Sequence, residues 1–271
     1  MSTFVPMRLP CVLTIGGLDP SGGAGLAADV RAARTAEAFA CPVAAAWTVQ
    51  STAGLRAAQA LSPRDLLAQV REVAAHQRIR TAKIGALGSE ANVRAVATWL
   101  WKRPELPVVV DPVILPSRGS ARLLPNDALV AMRERLVPRA TLVTPNAAEA
   151  SALTGLRVRS LEDACDAAYA IVELGAGACL VKGGHVAPRA EEAVDVLVLR
   201  SERVLVLRVP RLRVPPVHGT GCTLASLIAG RLAHEQRAGE EAVVRAVRWG
   251  KQALHAALER TADIGQGMRV I

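Results

Sequence analysis

Several short stretches of this 271-residue chain carry residues that could hold an anion or move a proton. His218-Gly219-Thr220-Gly221-Cys222-Thr223 stands just before an apolar stretch that reads as a helix from about Thr223 to His234. Glycines at 219 and 221 let backbone N–H groups turn towards one point, and a helix N-terminus adds partial positive charge there. Such a nest suits phosphate oxygens, or the charge that develops on a phosphoryl group in transfer. At the mouth of that helix the Cys222 thiol is expected to have a lowered pKa, so that its thiolate could accept a proton. A glycine turn capping a packed helix, with Cys222 as a small apolar residue, accounts for the same letters. Both readings stand at this point.

A second glycine-rich turn, GGLDPSGGAG (16–25), follows the apolar run CVLTIG (11–16) and contains Asp19. Gly23-Ala24-Gly25-Leu26-Ala27-Ala28 meets the loose dinucleotide pattern, but a Rossmann site needs an acidic residue at the end of the second strand. That strand ends in Val49-Gln50-Ser51, and no GxxxxGK[ST] occurs. Three further points fall at the carboxyl ends of apolar runs, where ligand sites gather in parallel sheets: Asp111, then Asn146 with Glu149, then Lys182. Two carboxylates with an amide nearby suit Mg²⁺ on a nucleotide, and a lysine at a strand end can neutralise phosphate. Each also has an ordinary reading: turn starter, first-turn helix charge, surface cation. His185 and His218 sit beside glycine turns and read as hydrogen-bonding residues.

The charge balance narrows the partners. Net charge is +9, carried by 29 arginines and only four lysines, so Lys182 stands out in a chain that uses Arg for ordinary surface charge. The arginines form no run or stripe, and with seven aromatics the chain lacks stacking platforms for single strands, so no nucleic-acid partner is expected. The five cysteines (Cys11, Cys41, Cys165, Cys179, Cys222) form no CxxC pair or Cys/His cluster. MSTFVPMRLP shows no signal-peptide pattern, and no apolar run reaches the roughly 18 residues of a span, so a cytoplasmic protein without membrane contact is expected.

The elements that must position these residues alternate. Strands are predicted at 11–16, 43–49, 81–85, 106–112, 141–146 and 178–184, and helices at about 24–38, 62–76, 90–101, 126–136 and 161–174. Ser62 with Pro63 and Asp65 gives the second helix a clear start. VDVLVLR (194–200) and RVLVLRV (203–209) read as a hairpin, the only clear one, before a last helix from about Glu240 to Arg260. Strand–helix alternation with short connections implies a parallel sheet covered on both faces, in one domain over residues 1–271.

With these residues in place, the chain resembles the hydroxymethylpyrimidine/phosphomethylpyrimidine kinases of the ribokinase-like superfamily. LTIGGLDPSGGAGLAADV, TAKIGALG, VVVDPVI, LVTPNAAEASALTG, LVKGGH and HGTGCTLASLIAG carry the resemblance, in order, from about residue 11 to 260. It implies a three-layer α/β/α fold around a mostly parallel sheet. It implies a homodimer whose activity is ATP-dependent phosphorylation of 4-amino-5-hydroxymethyl-2-methylpyrimidine, then of its monophosphate, in thiamine biosynthesis. Gly219, Thr220 and Gly221 would form an anion hole and Cys222 would be the catalytic base. Lys182 would contact ATP phosphates, with Asp111, Asn146 and Glu149 around Mg²⁺ and the triphosphate. Gly17, Asp19, Ala24, Gln50, Ala86 and Val113 would line the pyrimidine pocket.

The chain departs from the family's usual letters at four places. Ala27 stands where Gln is common, Ala86 where a larger residue, often Met, is found, and Ser117-Arg118-Gly119 where Lys-Ser-Gly is usual. Trp47 is bulky for a place near Gln50. These changes reshape the pocket and one phosphate-facing loop. A pyridoxal or other vitamin-alcohol kinase on the same fold is the alternative, and a non-catalytic pyrimidine-binding regulator a third reading. The intact GTGC argues for an enzyme.

Overall fold

The computed structural model describes residues 8–114, 123–183 and 191–271. Ser117-Arg118-Gly119 and His185 therefore lie outside the described residues. Among the described residues nine strands form one sheet in the order β3-β2-β1-β4-β5-β6-β7-β8-β9. They are β1 (Cys11–Leu18), β2 (Phe39–Ser51), β3 (Gly54–Ala60), β4 (Ile79–Ile84), β5 (Val108–Val110), β6 (Leu142–Val143), β7 (Ala178–Lys182), β8 (Glu192–Leu199) and β9 (Val204–Pro210). The pairs from β2 through β7 are parallel, while β3, β8 and β9 join antiparallel. The three-layer, mostly parallel arrangement is the one the alternation implied.

Among the described residues eight α-helices cover the two faces: α1 (Gly25–Thr35), α2 (Pro63–His76), α3 (Glu90–Trp101), α4 (Asn126–Ala131), α5 (Ala147–Thr154), α6 (Leu161–Glu173), α7 (Thr220–Leu232) and α8 (Glu240–Leu258). Alternate strand residues serve opposite layers, as the two-residue period of a strand requires. In β1, Leu13 and Ile15 join the core shared with Leu66, Val93 and Ile171, whereas Val12 joins Leu224, Ile228 and Val247 of α7 and α8. Local signals hold at the helix starts. The Ser62 hydroxyl accepts from the Asp65 N–H, and α5 begins with a reciprocal capping box between Asn146 and Glu149.

Three expectations need correction. The 203–209 hairpin is present, but it is not the only one: β2 runs on to Ser51 and turns back antiparallel through β3. GLRAAQA (54–60) has neither alternation nor β-branched residues, so its strand state comes from its partner and not from its own propensity. The stretch expected as one helix over 126–136 is α-helical only to Ala131, then widens into a π-turn at Met132–Leu136. The helix after HGTGC starts at Thr220, not Thr223, so the glycine nest is its first turn.

Candidate active site

The carboxyl ends of β1, β4, β5 and β7, with the first turn of α7, surround one cavity of about 800 Å³. Gly17, Asp19, Ala24, Gln50, Ala86, Val113, Asp111, Asn146, Glu149, Lys182, Gly219, Thr220, Gly221 and Cys222 all line it. The structure thus brings together every one of the residues that the resemblance assigned to the site.

The two glycine loops meet backbone to backbone. Gly219 is the N-cap of α7 in the left-handed region, φ 79°, and a Cβ there would collide with the Gly23 carbonyl oxygen. Only glycine lets the loops close this tightly. The first N–H groups of α7 consequently face the cavity at a 13-residue helix's positive end.

Cys222 contradicts the expectation of a lowered pKa. Burial pushes its thiol up to about 12; Lys83 pulls it down, but the nearby carboxylates of Asp111 and Asp29 push it further up. The Gly25 N–H donates to the sulfur and favours the thiolate. The partial burial and the neighbouring anions outweigh the helix terminus, because the thiolate would add a negative charge beside Asp111 and Asp29. In the ligand-free protein Cys222 is a thiol.

Around it the charges pair. Lys182 Nζ donates to Asp111 Oδ1 at 3.0 Å and lies 3.9 Å from Glu149 Oε2. Burial would raise the Asp111 pKa, but Lys182 and Lys83 hold it below the usual carboxylate range. Glu149 goes the other way, to about 7: burial raises it, Lys182 opposes, and Asp111 adds repulsion. The capping box also uses these side chains. Asn146 Oδ1 accepts from the Glu149 N–H at 2.9 Å, and Glu149 Oε2 accepts from the Asn146 N–H at 2.8 Å. That leaves the Asn146 amide nitrogen as the end available to a ligand. Lys182, offered above as a possible surface cation, is a buried-pair cation facing the cavity.

Several functional groups escaped sequence reading. Three of the four lysines line the cavity, each paired with an aspartate: Lys182 as above, Lys83 with Asp29 at 2.8 Å, and Lys251 with Asp195 at 2.5 Å. The Ser226 hydroxyl, one turn after Cys222, also donates to Asp29. Lysine scarcity was the available signal, and it pointed only to Lys182. His218 is buried, with Nε2 2.8 Å from Asp19 Oδ2. Asp19 itself accepts from Ser21 N–H, Ser21 Oγ–H and Ala24 N–H, so its carboxylate organises the loop. Trp47 is half-exposed on the outer face of β2, opposite the Thr48 and Gln50 side that faces the cavity.

A mostly parallel sheet whose strand ends meet a glycine-capped helix start, a lysine and two carboxylates defines a ribokinase-like small-molecule kinase. The phosphomethylpyrimidine kinase family model matches residues 19–271. A hydroxymethylpyrimidine/phosphomethylpyrimidine kinase from Streptomyces coelicolor is 39% identical over 263 residues, covering 97% of this chain and 94% of the relative. The crystal structure of phosphomethylpyrimidine kinase from Clostridium difficile 630 matches with TM-score 0.77 and 30% identity, covering 92% of this chain and 99% of that one. An ADP complex of Bacillus subtilis pyridoxal kinase matches with TM-score 0.85 and 26% identity, covering 97% and 96%. The chain belongs to the phosphomethylpyrimidine kinase family.

Proposed function

We propose that this kinase of thiamine biosynthesis phosphorylates 4-amino-5-hydroxymethyl-2-methylpyrimidine with ATP, and then phosphorylates the monophosphate to the diphosphate. One observation carries the reading: a single cavity holds Gln50, whose amide offers a donor and an acceptor side by side, and the phosphate-handling groups at Lys182 and Gly219–Cys222. Gly17, Asp19, Ala24, Ala86 and Val113 complete the pyrimidine end, Asp19 through its hold on the loop.

In the transfer, the substrate oxygen attacks the γ-phosphorus in line, the new O–P bond forms, and the bond to the bridging oxygen of ADP breaks. The α7 N–H groups at Gly219–Gly221 and the Lys182 ammonium take up charge on the phosphoryl oxygens. Cys222 receives the proton of the attacking hydroxyl. This requires the thiol first to release its own proton to solvent through the open cavity as the enzyme is loaded; Lys83 and the Gly25 N–H then hold the thiolate. No cluster of three or more acidic, His or Cys side chains able to cage a metal occurs among the described residues. Asp111 and Glu149, both within 4 Å of Lys182 Nζ, instead fit Mg²⁺ held mainly by triphosphate and water, with one or two carboxylates. Bound there, Mg²⁺ would neutralise phosphate charge.

The deciding experiment is an ATP-consumption assay with the pyrimidine alcohol, its monophosphate and pyridoxal. Turnover of both pyrimidines is expected; turnover of neither overturns the reading. The pyridoxal alternative draws on the higher TM-score of the pyridoxal kinase and on the room that Ala86 leaves. Turnover confined to pyridoxal would establish it. The partners are these small molecules and no nucleic acid, in the cytoplasm where ATP is supplied; no helix among the described residues is long and apolar enough to cross a membrane. One domain and a homodimer complete the proposal. Leu18 at the end of β1, with Trp47 and Val49 of β2, gives this sheet edge an exposed apolar face suited to a second copy.

A further inference from the structure

Asp19, His218 and Gln50 come from three distant segments and meet through one atom. His218 Nε2 lies 2.8 Å from Asp19 Oδ2 and 3.1 Å from the end of the Gln50 amide placed as Nε2. A ring nitrogen has one in-plane position, filled either by a hydrogen or by a lone pair. Asp19 is ionised: burial works against the charge, but His218 and Ser21 together hold its carboxyl below the usual range. An ionised carboxylate only accepts, so His218 Nε2 carries the hydrogen.

The buried Nδ1 of His218 has no hydrogen-bond partner among the described residues. Whatever Nδ1 carries, the contact with the Asp19 carboxylate requires the hydrogen on Nε2. A donor at Nε2 cannot face the Gln50 NH₂. The two ends of an amide are isosteric and their assignment follows from their partners, so the end facing His218 is Oε1. The NH₂ is then left for a ligand in the cavity that Gln50 lines.

We propose that His218, held by Asp19, is a positioning residue that fixes the Gln50 amide with oxygen inward and nitrogen beside it, and so selects a ring edge with a donor next to an acceptor. This rests on the pyrimidine-kinase reading and deepens it. In a 4-aminopyrimidine, the exocyclic amine donates to Oε1 and the adjacent ring nitrogen accepts from the NH₂. A 4-oxo analogue in its N–H form presents the reverse order. To bind it Gln50 must turn over, setting its NH₂ against His218 Nε2–H. The ring cannot easily retreat: a Cβ on Gly23 would stand 2.5 Å from His218 Cδ2, and the His218 N–H is tied to the Arg269 carbonyl at 2.7 Å.

The test compares kcat/KM for the 4-amino alcohol and its 4-oxo analogue in wild type, His218→Phe and Asp19→Asn. Wild type is expected to prefer the amino compound by about 100-fold or more, the scale of a mispaired polar edge. In His218→Phe the amino/oxo ratio is expected to fall at least about tenfold, chiefly through KM for the amino compound, with a smaller fall in Asp19→Asn. An unchanged ratio in a folded, active variant overturns the proposal. Imidazole ¹⁵N NMR of the wild-type protein gives a test that needs no variant. A protonated Nε2 is expected, and a ring that carries its hydrogen on Nδ1 alone overturns the proposal. A wild type that phosphorylates neither pyrimidine would sink the functional reading, while the tautomer would still be read.

Discussion

Lys182 and Asp111 stand 3.0 Å apart at the ends of two strands separated by β6, and Glu149 Oε2 lies 3.9 Å from the same ammonium. One cation therefore holds two carboxylates at the bottom of the cavity. Burial alone would push protons onto both acids; the lysine's charge keeps Asp111 ionised but does not suffice for Glu149. Removing one half of the pair leaves a buried charge uncovered, which is costly.

Lys182→Met tests this directly. Stability in urea denaturation is expected to fall by about 3–5 kcal/mol, the scale for uncovering a buried partner charge. Activity with ATP should fall by more than about 100-fold if the ammonium also acts on developing phosphoryl charge. Stability and turnover both near wild type would remove Lys182 from the site.

Glu149 makes stability depend on pH. Its folded-state pKa, about 7, lies above the ordinary 4.5, so the folded chain keeps a proton that the unfolded chain has lost. Its contribution therefore falls as pH rises from about 4.5 to about 7 and is flat above, by roughly 3 kcal/mol in all. Glu149→Gln keeps a side chain able to serve the capping box and removes the titration. The unfolding free energy of wild type minus that of the Glu149→Gln variant, measured at pH 5 and pH 7.5, should drop at the higher pH. A difference that does not change with pH contradicts the assignment.

For Cys222 two measurements separate chemistry from burial. Cys222→Ala is expected to lower kcat by roughly 10²–10⁴, the usual contribution of a positioned base. With a thiol pKa near 12, the free enzyme should also alkylate slowly with iodoacetamide at pH 8, because the thiolate is the reactive form. Fast labelling of Cys222, read by peptide mass, would show that the helix terminus and Lys83 outweigh burial after all.

Gly219→Ala should damage both fold and activity. It combines a left-handed φ of 79° with a collision against the Gly23 carbonyl, so the two glycine loops cannot both keep their places. A loss of about 1–3 kcal/mol in stability and a collapse of kcat are expected together. A variant with wild-type kcat would mean that the anion hole does not depend on this contact.

Much of this protein was legible along the chain, because the signals are local. The glycines of the two loops, Ser62 as a helix start, and the β-branched run ending at Asp111 act through neighbours in sequence. Six ordered motifs then carried family, fold and chemistry. What sequence spacing could not supply was whatever depends on partners from distant segments. β3 is a strand only because β2 pairs with it. The direction of the Cys222 pKa turned on burial and on Asp29 and Asp111, which outweigh the helix end visible in the letters. Asp19, His218 and Gln50 share one hydrogen bond position across separations of 199 and 168 residues. Desolvation and through-space charge exist only once the chain has closed on itself, so the tertiary structure alone decided protonation and which hydrogen-bonding face the cavity presents.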